Sequence, residues 1–251
     1  MAKDSTYDVI VVGSGPGGGI AAYALTKAGA RVALVEAGRR LRPGIDYNSH
    51  GNVYDKLEAR LKAGHSGAVS SVWRDFAEKD HFVPVGDTPR HGQLRALGGR
   101  SLCWAGHSLR FGPGDFRKWP IPYEQVAPYY DRAERLMQVH GEKNGLWNMP
   151  DGVFEKAVPM RLPERKLKEG VERLKTQGRK MEFVPQRKAI PTEQKQGGRT
   201  VCHYCGNCMS GCEVDSKYTS ANTPIPLAMK TGRLTLLTEC MMTRILYDRG
   251  A

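Results

Sequence analysis

Two short apolar runs near the N-terminus set the pattern of this chain. Tyr7-Asp8-Val9-Ile10-Val11-Val12 is too brief for a buried helix, breaks into Gly13-Ser14-Gly15-Pro16-Gly17-Gly18-Gly19, and resumes with helix formers at 20–25. That order predicts strand, tight turn and helix. Gly29 ends the helix, and Arg31-Val32-Ala33-Leu34-Val35-Glu36 predicts a second strand. Residues 39–94 read as loops and short pieces, with a turn at Pro43-Gly44 and a helical piece over 55–61. Residues 234–238 and 242–247 read as strands, and Asp248-Arg249-Gly250 follows as a turn.

The glycine-rich turn has the spacing of a dinucleotide fingerprint. Gly13 permits the bend, Gly15 lets backbone approach a pyrophosphate, and Gly18 lets the helix pack closely on the strand, with Pro16 and Gly17 between them. Unpaired N–H groups at the helix start, and its partial positive charge, then form an anion site. Ala22 is small where the helix must lie against the sheet. Glu36, followed by Ala37 and Gly38, stands at the end of strand two, about 20 residues past the turn, where a carboxylate accepts both hydroxyls of an adenosine ribose. The same carboxylate repels a 2′-phosphate, which disfavours NADP. The turn alone does not decide between FAD and NAD.

Composition narrows the class without choosing a function. At 251 residues the chain can hold one large or two small domains, and with 40% hydrophobic and 25% charged residues it has the make-up of an ordinary soluble protein. No apolar run reaches the length needed to cross a bilayer. The polar start lacks the pattern of a cleavable signal, so the expected location is the cytoplasm, or the periplasm if the protein is exported with a partner that carries a signal. The net charge of +12 is concentrated between Lys156 and Arg199. A solvated basic face is expected there, able to steer an acidic partner or an anionic substrate. Nucleic acid is disfavoured, because no aromatic residues interleave these charges.

A second glycine pair lies in Arg95-Ala96-Leu97-Gly98-Gly99-Arg100-Ser101-Leu102-Cys103-Trp104-Ala105-Gly106. Backbone brought close to a ligand fits the pattern, with Arg100 and Ser101 able to meet phosphate; an ordinary turn before a buried Trp fits it as well. The block that follows, Asp115-Phe116-Arg117-Lys118-Trp119-Pro120-Ile121-Pro122-Tyr123-Glu124-Gln125-Val126-Ala127-Pro128-Tyr129-Tyr130-Asp131-Arg132-Ala133-Glu134, separates the two. Together with the two glycine blocks, in this order, it resembles the glucose–methanol–choline (GMC) oxidoreductases, which are FAD-dependent. The resemblance implies an α/β fold: a Rossmann-like FAD-binding domain with an incomplete substrate domain. It also implies that Gly13, Gly15, Pro16, Gly17 and Gly18 sit at the pyrophosphate and Glu36, Ala37 and Gly38 at the ribose. Gly98, Gly99, Arg100, Ser101, Trp104, Ala105 and Gly106 would lie along the phosphate and flavin, and Met242 would offer backbone groups to adenine. Trp104, where the family often has Asn, points towards sugars and polyols.

A third block, Cys202-His203-Tyr204-Cys205-Gly206-Asn207-Cys208-Met209-Ser210-Gly211-Cys212, has the C-x2-C-x2-C-x3-C spacing of a bacterial ferredoxin run, with Glu213 in place of the usual proline. Four thiols this close are not explained by packing, and a reducing compartment does not use them as structural disulfides. An iron–sulfur cluster of the 3Fe-4S or 4Fe-4S type is the expected ligand, held by Cys202, Cys205 and Cys208 with Cys212, with Cys103 or Cys240, or with no fourth thiolate. Zinc and a redox dithiol are the rivals, and the run lacks the long spacer of ordinary zinc sites. The resemblance favours iron, since some multi-subunit sugar dehydrogenases of the family are similar to iron–sulfur flavoproteins that feed a cytochrome.

In the family the base that takes the substrate's hydroxyl proton, a His paired with His or Asn, lies beyond the position matching Ala251, so no catalytic residue is assigned within the chain. His50, His65, His81 and His91 are scattered, without metal spacing. The expected organisation is an FAD-binding βαβ unit over 1–40, an extension with the flavin-contacting loop over 41–135, a basic segment of the substrate domain over 136–200, and the cysteine run with return strands over 201–251. The chain then reads as the N-terminal half of a dehydrogenase. Its substrate would be an alcohol group of a sugar or polyol, its hydride acceptor flavin, and its electron outlet the iron–sulfur cluster and a cytochrome or quinone. Expected partners are a C-terminal half or complementary subunit, a small subunit and cytochrome c. The alternatives are an oxidase using O2 with a zinc or structural cysteine site, and a non-catalytic cofactor-binding subunit.

Overall fold

The first apolar run forms β1 (Val9–Val12), the glycine turn leads into α1 (Pro16–Lys27), and the second run forms β2 (Val32–Val35). The computed structural model describes residues 6–47, 52–62, 77–78, 93–195 and 198–247. In chain order the remaining elements are α2 (Val53–Lys62), β3 (Ala77–Glu78), β4 (Gln93–Leu94), α3 (Tyr123–Met137), β5 (Val139–His140), α4 (Leu162–Thr176), β6 (Lys188–Ala189), α5 (Pro224–Lys230) and β7 (Leu234–Leu237). Short 3-10 turns stand at Gly99–Cys103, Asp115–Lys118 and Cys208–Ser210. The chain divides into two units, the first made of Met1–Ala105 and Tyr204–Ala251, the second of Gly106–His203.

In the first unit three parallel strands lie in the order β1-β2-β7, with Val9 opposite Val32 and Val32 opposite Leu234. Parallel neighbours need a crossover, and α1 supplies it between β1 and β2. Ala22 of α1 is fully buried and packs with Val32, Leu34, Leu97 and Ile225. Its lack of bulk keeps the helix close, as the sequence implied. Central β2 has Val32, Ala33 and Leu34 all buried, so Leu34→Ala would cost about 2–5 kcal/mol. A second cluster, Leu41, Tyr47, Leu94, Ala96, Leu102 and Cys103, lies under the second glycine block. This is the α/β, Rossmann-like arrangement expected.

The second unit is held differently. Its buried Arg110 meets Glu134 through two bonds, of 2.9 and 2.5 Å, and Asp131 at 2.7 Å. Buried Arg187 donates to Asp151 at 2.7 Å and lies 4.5 Å over the Phe154 ring. The Arg110–Glu134 pair is bidentate and satisfies both partners away from water. Strands β5 and β6 pair antiparallel, Val139 opposite Ala189.

Two expectations need correction. Arg187 and Arg199, counted in the basic face, are buried rather than solvated: Arg199 donates to the carbonyls of Met137 and Ala189. Charge counting along the chain cannot see such partners. Residues 242–247 form no strand and are exposed, because among the described residues no neighbouring strand pairs with them; β-propensity alone does not make a ladder. The helix expected over 55–61 appears as α2, and Gly44 turns as predicted at φ +77°. His50, His65, His81, His91 and the turn at 248–250 lie outside the described residues.

Candidate functional site

The fingerprint turn opens α1 without any side-chain cap. Gly15 is the N-cap, Pro16 stands in the first turn, and no acidic residue competes there for the N–H groups. Pro16 and Gly17 are exposed while Gly13, Gly15 and Gly18 are half-buried. The Gly13 amide donates to Val35 O at 2.8 Å, which ties the turn to the end of β2. Gly18 is the position where the backbone tolerates nothing larger: a Cβ there would fall on the Gly13 carbonyl. An open helix start built this way attracts anions through backbone donors and the helix dipole.

Glu36 follows β2 and is 6% exposed. One oxygen of its carboxylate accepts from Ser14 N at 3.0 Å and Ser14 Oγ at 2.5 Å; the other accepts from Gly38 N at 2.8 Å. Glu36 is therefore anchored to the turn itself, with Gly38 buried against the backbone of Arg95 and Ala96. Ser14 Oγ in turn accepts from Gly98 N at 2.9 Å. The two glycine blocks, 84 residues apart, meet on one hydroxyl.

The second block is a 3-10 turn opened by Gly98 in the left-handed region, φ +99°, with Ala221 packed where a side chain would project. Ser101 Oγ donates to Gly98 O at 2.6 Å and accepts from Ser220 N at 2.9 Å. Ser220 Oγ continues to Gly15 O at 3.1 Å. Trp104 is held by its indole N–H, which donates to Tyr218 O at 2.8 Å, and by an edge contact with the Tyr218 ring. Arg100 is exposed. Asn222 secures the segment behind these contacts, its amide donating to Lys217 O and Asp215 Oδ1 at 2.9 Å each.

Residues 217–222 thus brace both glycine blocks. Nothing in the sequence signals that role: Ser14, Lys217, Ser220 and Asn222 are polar residues without periodicity. Their only signal is that the serines and the lysine are fully buried, which appears only in the fold. Gly106 belongs to the second unit, where its carbonyl accepts from Ala189 N at 2.8 Å. Met242 is exposed on the chain after β7.

Cys202 falls in the second unit, while Cys205, Cys208 and Cys212 fall in the first. Cys205 is exposed, Cys208 buried and Cys212 half-buried. Backbone amides reach two of the sulfurs, Asn207 N to Cys205 at 3.5 Å and Lys217 N to Cys212 at 3.4 Å. Among the described residues no group of three or more His, Cys, Asp or Glu side chains is placed to hold a metal ion. As folded here the run does not fit a cluster. Burial pushes the Cys103 thiol up, against the pull of the Lys217 and Arg100 cations. Among the described residues no helix is long and apolar enough to cross a membrane.

Residues 11–76 match the profile of the NAD(P)-binding Rossmann-like domain, and residues 90–251 that of the GMC oxidoreductases. The chain is 29% identical over 238 residues to 2-methyl-1,2-propanediol dehydrogenase of Mycolicibacterium austroafricanum, covering 90% of this chain and 40% of that protein. It is 27% identical over 241 residues to the fructose dehydrogenase large subunit of Gluconobacter japonicus, covering 87% and 42%. Long-chain-alcohol oxidase FAO3 of Arabidopsis thaliana shares 28% over 243 residues, covering 97% and 27%. Pyridoxine 4-oxidase from Mesorbium loti aligns in space with a TM-score of 0.49 and 18% identity, over 93% of this chain and 42% of that one. The chain spans less than half the length of these curated relatives.

Proposed function

The chain belongs to the GMC oxidoreductase family, and on that premise we propose that it is the FAD-binding part of an enzyme that oxidises an alcohol group of a sugar or polyol. The observation that carries the reading is the shared hydroxyl of Ser14, which joins the fingerprint turn, Glu36 and the Gly98 turn into one buried network. Flavin, when bound, supplies the hydride acceptor. The residues of this chain hold and orient it. The open start of α1 takes the pyrophosphate, Glu36 Oε1, which among the described residues accepts only from Gly38 N, keeps acceptor capacity for a ribose hydroxyl, and the 98–105 turn lies along the flavin. The substrate class is supported by Trp104 and by the likeness to a fructose dehydrogenase subunit and a diol dehydrogenase.

We further propose that Cys202, Cys205, Cys208 and Cys212 bind an iron–sulfur centre in the complete enzyme, which would make it a dehydrogenase serving a cytochrome or quinone. The spacing of the four residues supports this. Their placement does not.

The test is an anaerobic visible spectrum of the full-length protein, before and after addition of a panel of sugars, polyols and simple alcohols. Flavin bands that bleach with a sugar or polyol, together with faster turnover on artificial acceptors than on O2, are the expected outcome. Bleaching by simple alcohols alone would overturn the substrate class. Turnover on O2 as fast as on artificial acceptors would overturn the dehydrogenase reading.

A further inference from the structure

Lys217 is the one wholly buried lysine among the described residues. Its ammonium donates to three backbone carbonyls, Leu102 O at 2.9 Å, Trp104 O at 2.8 Å and Cys208 O at 2.8 Å. An ammonium has three protons, and each is used. Two of the acceptors belong to the turn that presents Trp104. The third opens the 3-10 turn of the cysteine run.

A buried cation carries a large desolvation penalty, and a methionine of similar length would fill the same volume. That replacement would take the ammonium donor from Leu102 O and Trp104 O and leave Cys208 O with only the long bond from Gly211 N, 3.4 Å. The three carbonyl oxygens converge on the one ammonium. The adjacent residue adds to the grip: Tyr218 O accepts the Trp104 indole N–H. Trp104 is therefore fixed at its backbone by one residue and at its ring by the next.

We propose that Lys217 is a positioning residue for the flavin: its ammonium locks the Leu102–Trp104 backbone and ties the cysteine turn to it, so that the two turns act as one body. The proposal rests on the reading that the 98–105 turn lies along FAD.

The experiment uses the full-length holoprotein with K217M, K217A and K217R, following FAD dissociation and the visible circular dichroism of bound flavin. K217M is expected to release FAD at least tenfold more readily and to change the flavin bands. K217A is expected to do the same, and to recover both with millimolar ethylammonium but not with propanol. K217R keeps a buried cation and so guards against unfolding. Its planar fork cannot meet three converging carbonyls, and a shifted flavin spectrum is expected. Any of these variants indistinguishable from wild type in both readouts overturns the proposal, as does rescue by propanol equal to that by ethylammonium. Wild-type protein that holds no FAD would overturn the functional reading and this proposal with it. Indifferent variants of an FAD-bound wild type overturn the proposal alone.

Discussion

The turn at 13–18 and the run at 202–212 carry the two loudest chemical signals in the chain, and they fold in opposite ways. At the turn the groups that would meet an anion are backbone amides, and the packing of β1, α1 and β2 aims them. In the run the chemistry rests on cysteine side chains, which occupy exposed, half-buried and buried positions. The difference is one of what folding can assemble unaided. Backbone amides converge on an anion because the helix start aims them. Thiolates repel one another, and where a run of this kind binds a metal, the ion provides the free energy that gathers them.

The largest effect that would test this contrast is at Gly18. Gly18→Ala puts a methyl group on the Gly13 carbonyl, and the full-length protein should lose its flavin absorbance entirely. Retained flavin would mean that the turn is not the pyrophosphate site. Next is Cys205→Ser, for which iron content should vanish while bound FAD, measured by its absorbance after denaturation, stays within error of wild type. Loss of flavin in that variant would break the contrast, because the two sites would not be separable.

A smaller effect is expected at Ser14. Ser14→Ala removes one of Glu36's donors and the acceptor of the buried Gly98 amide. Leaving such groups unsatisfied costs about 1–3 kcal/mol, so fluorescence titration should show FAD binding weakened about tenfold or more. The smallest lies in the second unit. Burial, then the Lys188 charge, holds His140 below the usual imidazole value of 6.5, so the unfolded chain binds the proton more readily. Stability from this residue is full above that value and falls as pH drops through it. Thermal melts from pH 7.5 to 5.5 should show a steeper loss for wild type than for His140→Gln, with flavin binding equal in both.

The glycine turn was legible because its requirement is steric and local. Where a side chain cannot fit, the sequence must spell glycine, as at Gly18. Glu36 was legible for its distance from that turn. Its anchoring by Ser14 was not, since a serine beside a glycine carries no sign of a partner 22 residues away. Lys217 was hidden for the opposite reason: lysine is read as solvent-facing, and only tertiary structure places three carbonyls round it. The stretch over 242–247 misled because strand character in sequence is a preference for a partner, and none among the described residues stands beside it.

The bond from Ser220 to Gly15 has a consequence for synthesis. It joins residues 205 positions apart, and the Ser101–Ser220 bond spans 119. A ribosome adds about 5–20 residues per second, so the first glycine block waits on the order of ten to forty seconds for its brace. During that interval β1, α1 and β2 can collapse while the cradle stays open on one side. On the proposed reading, the cradle for flavin is complete only after residues 217–222 have emerged.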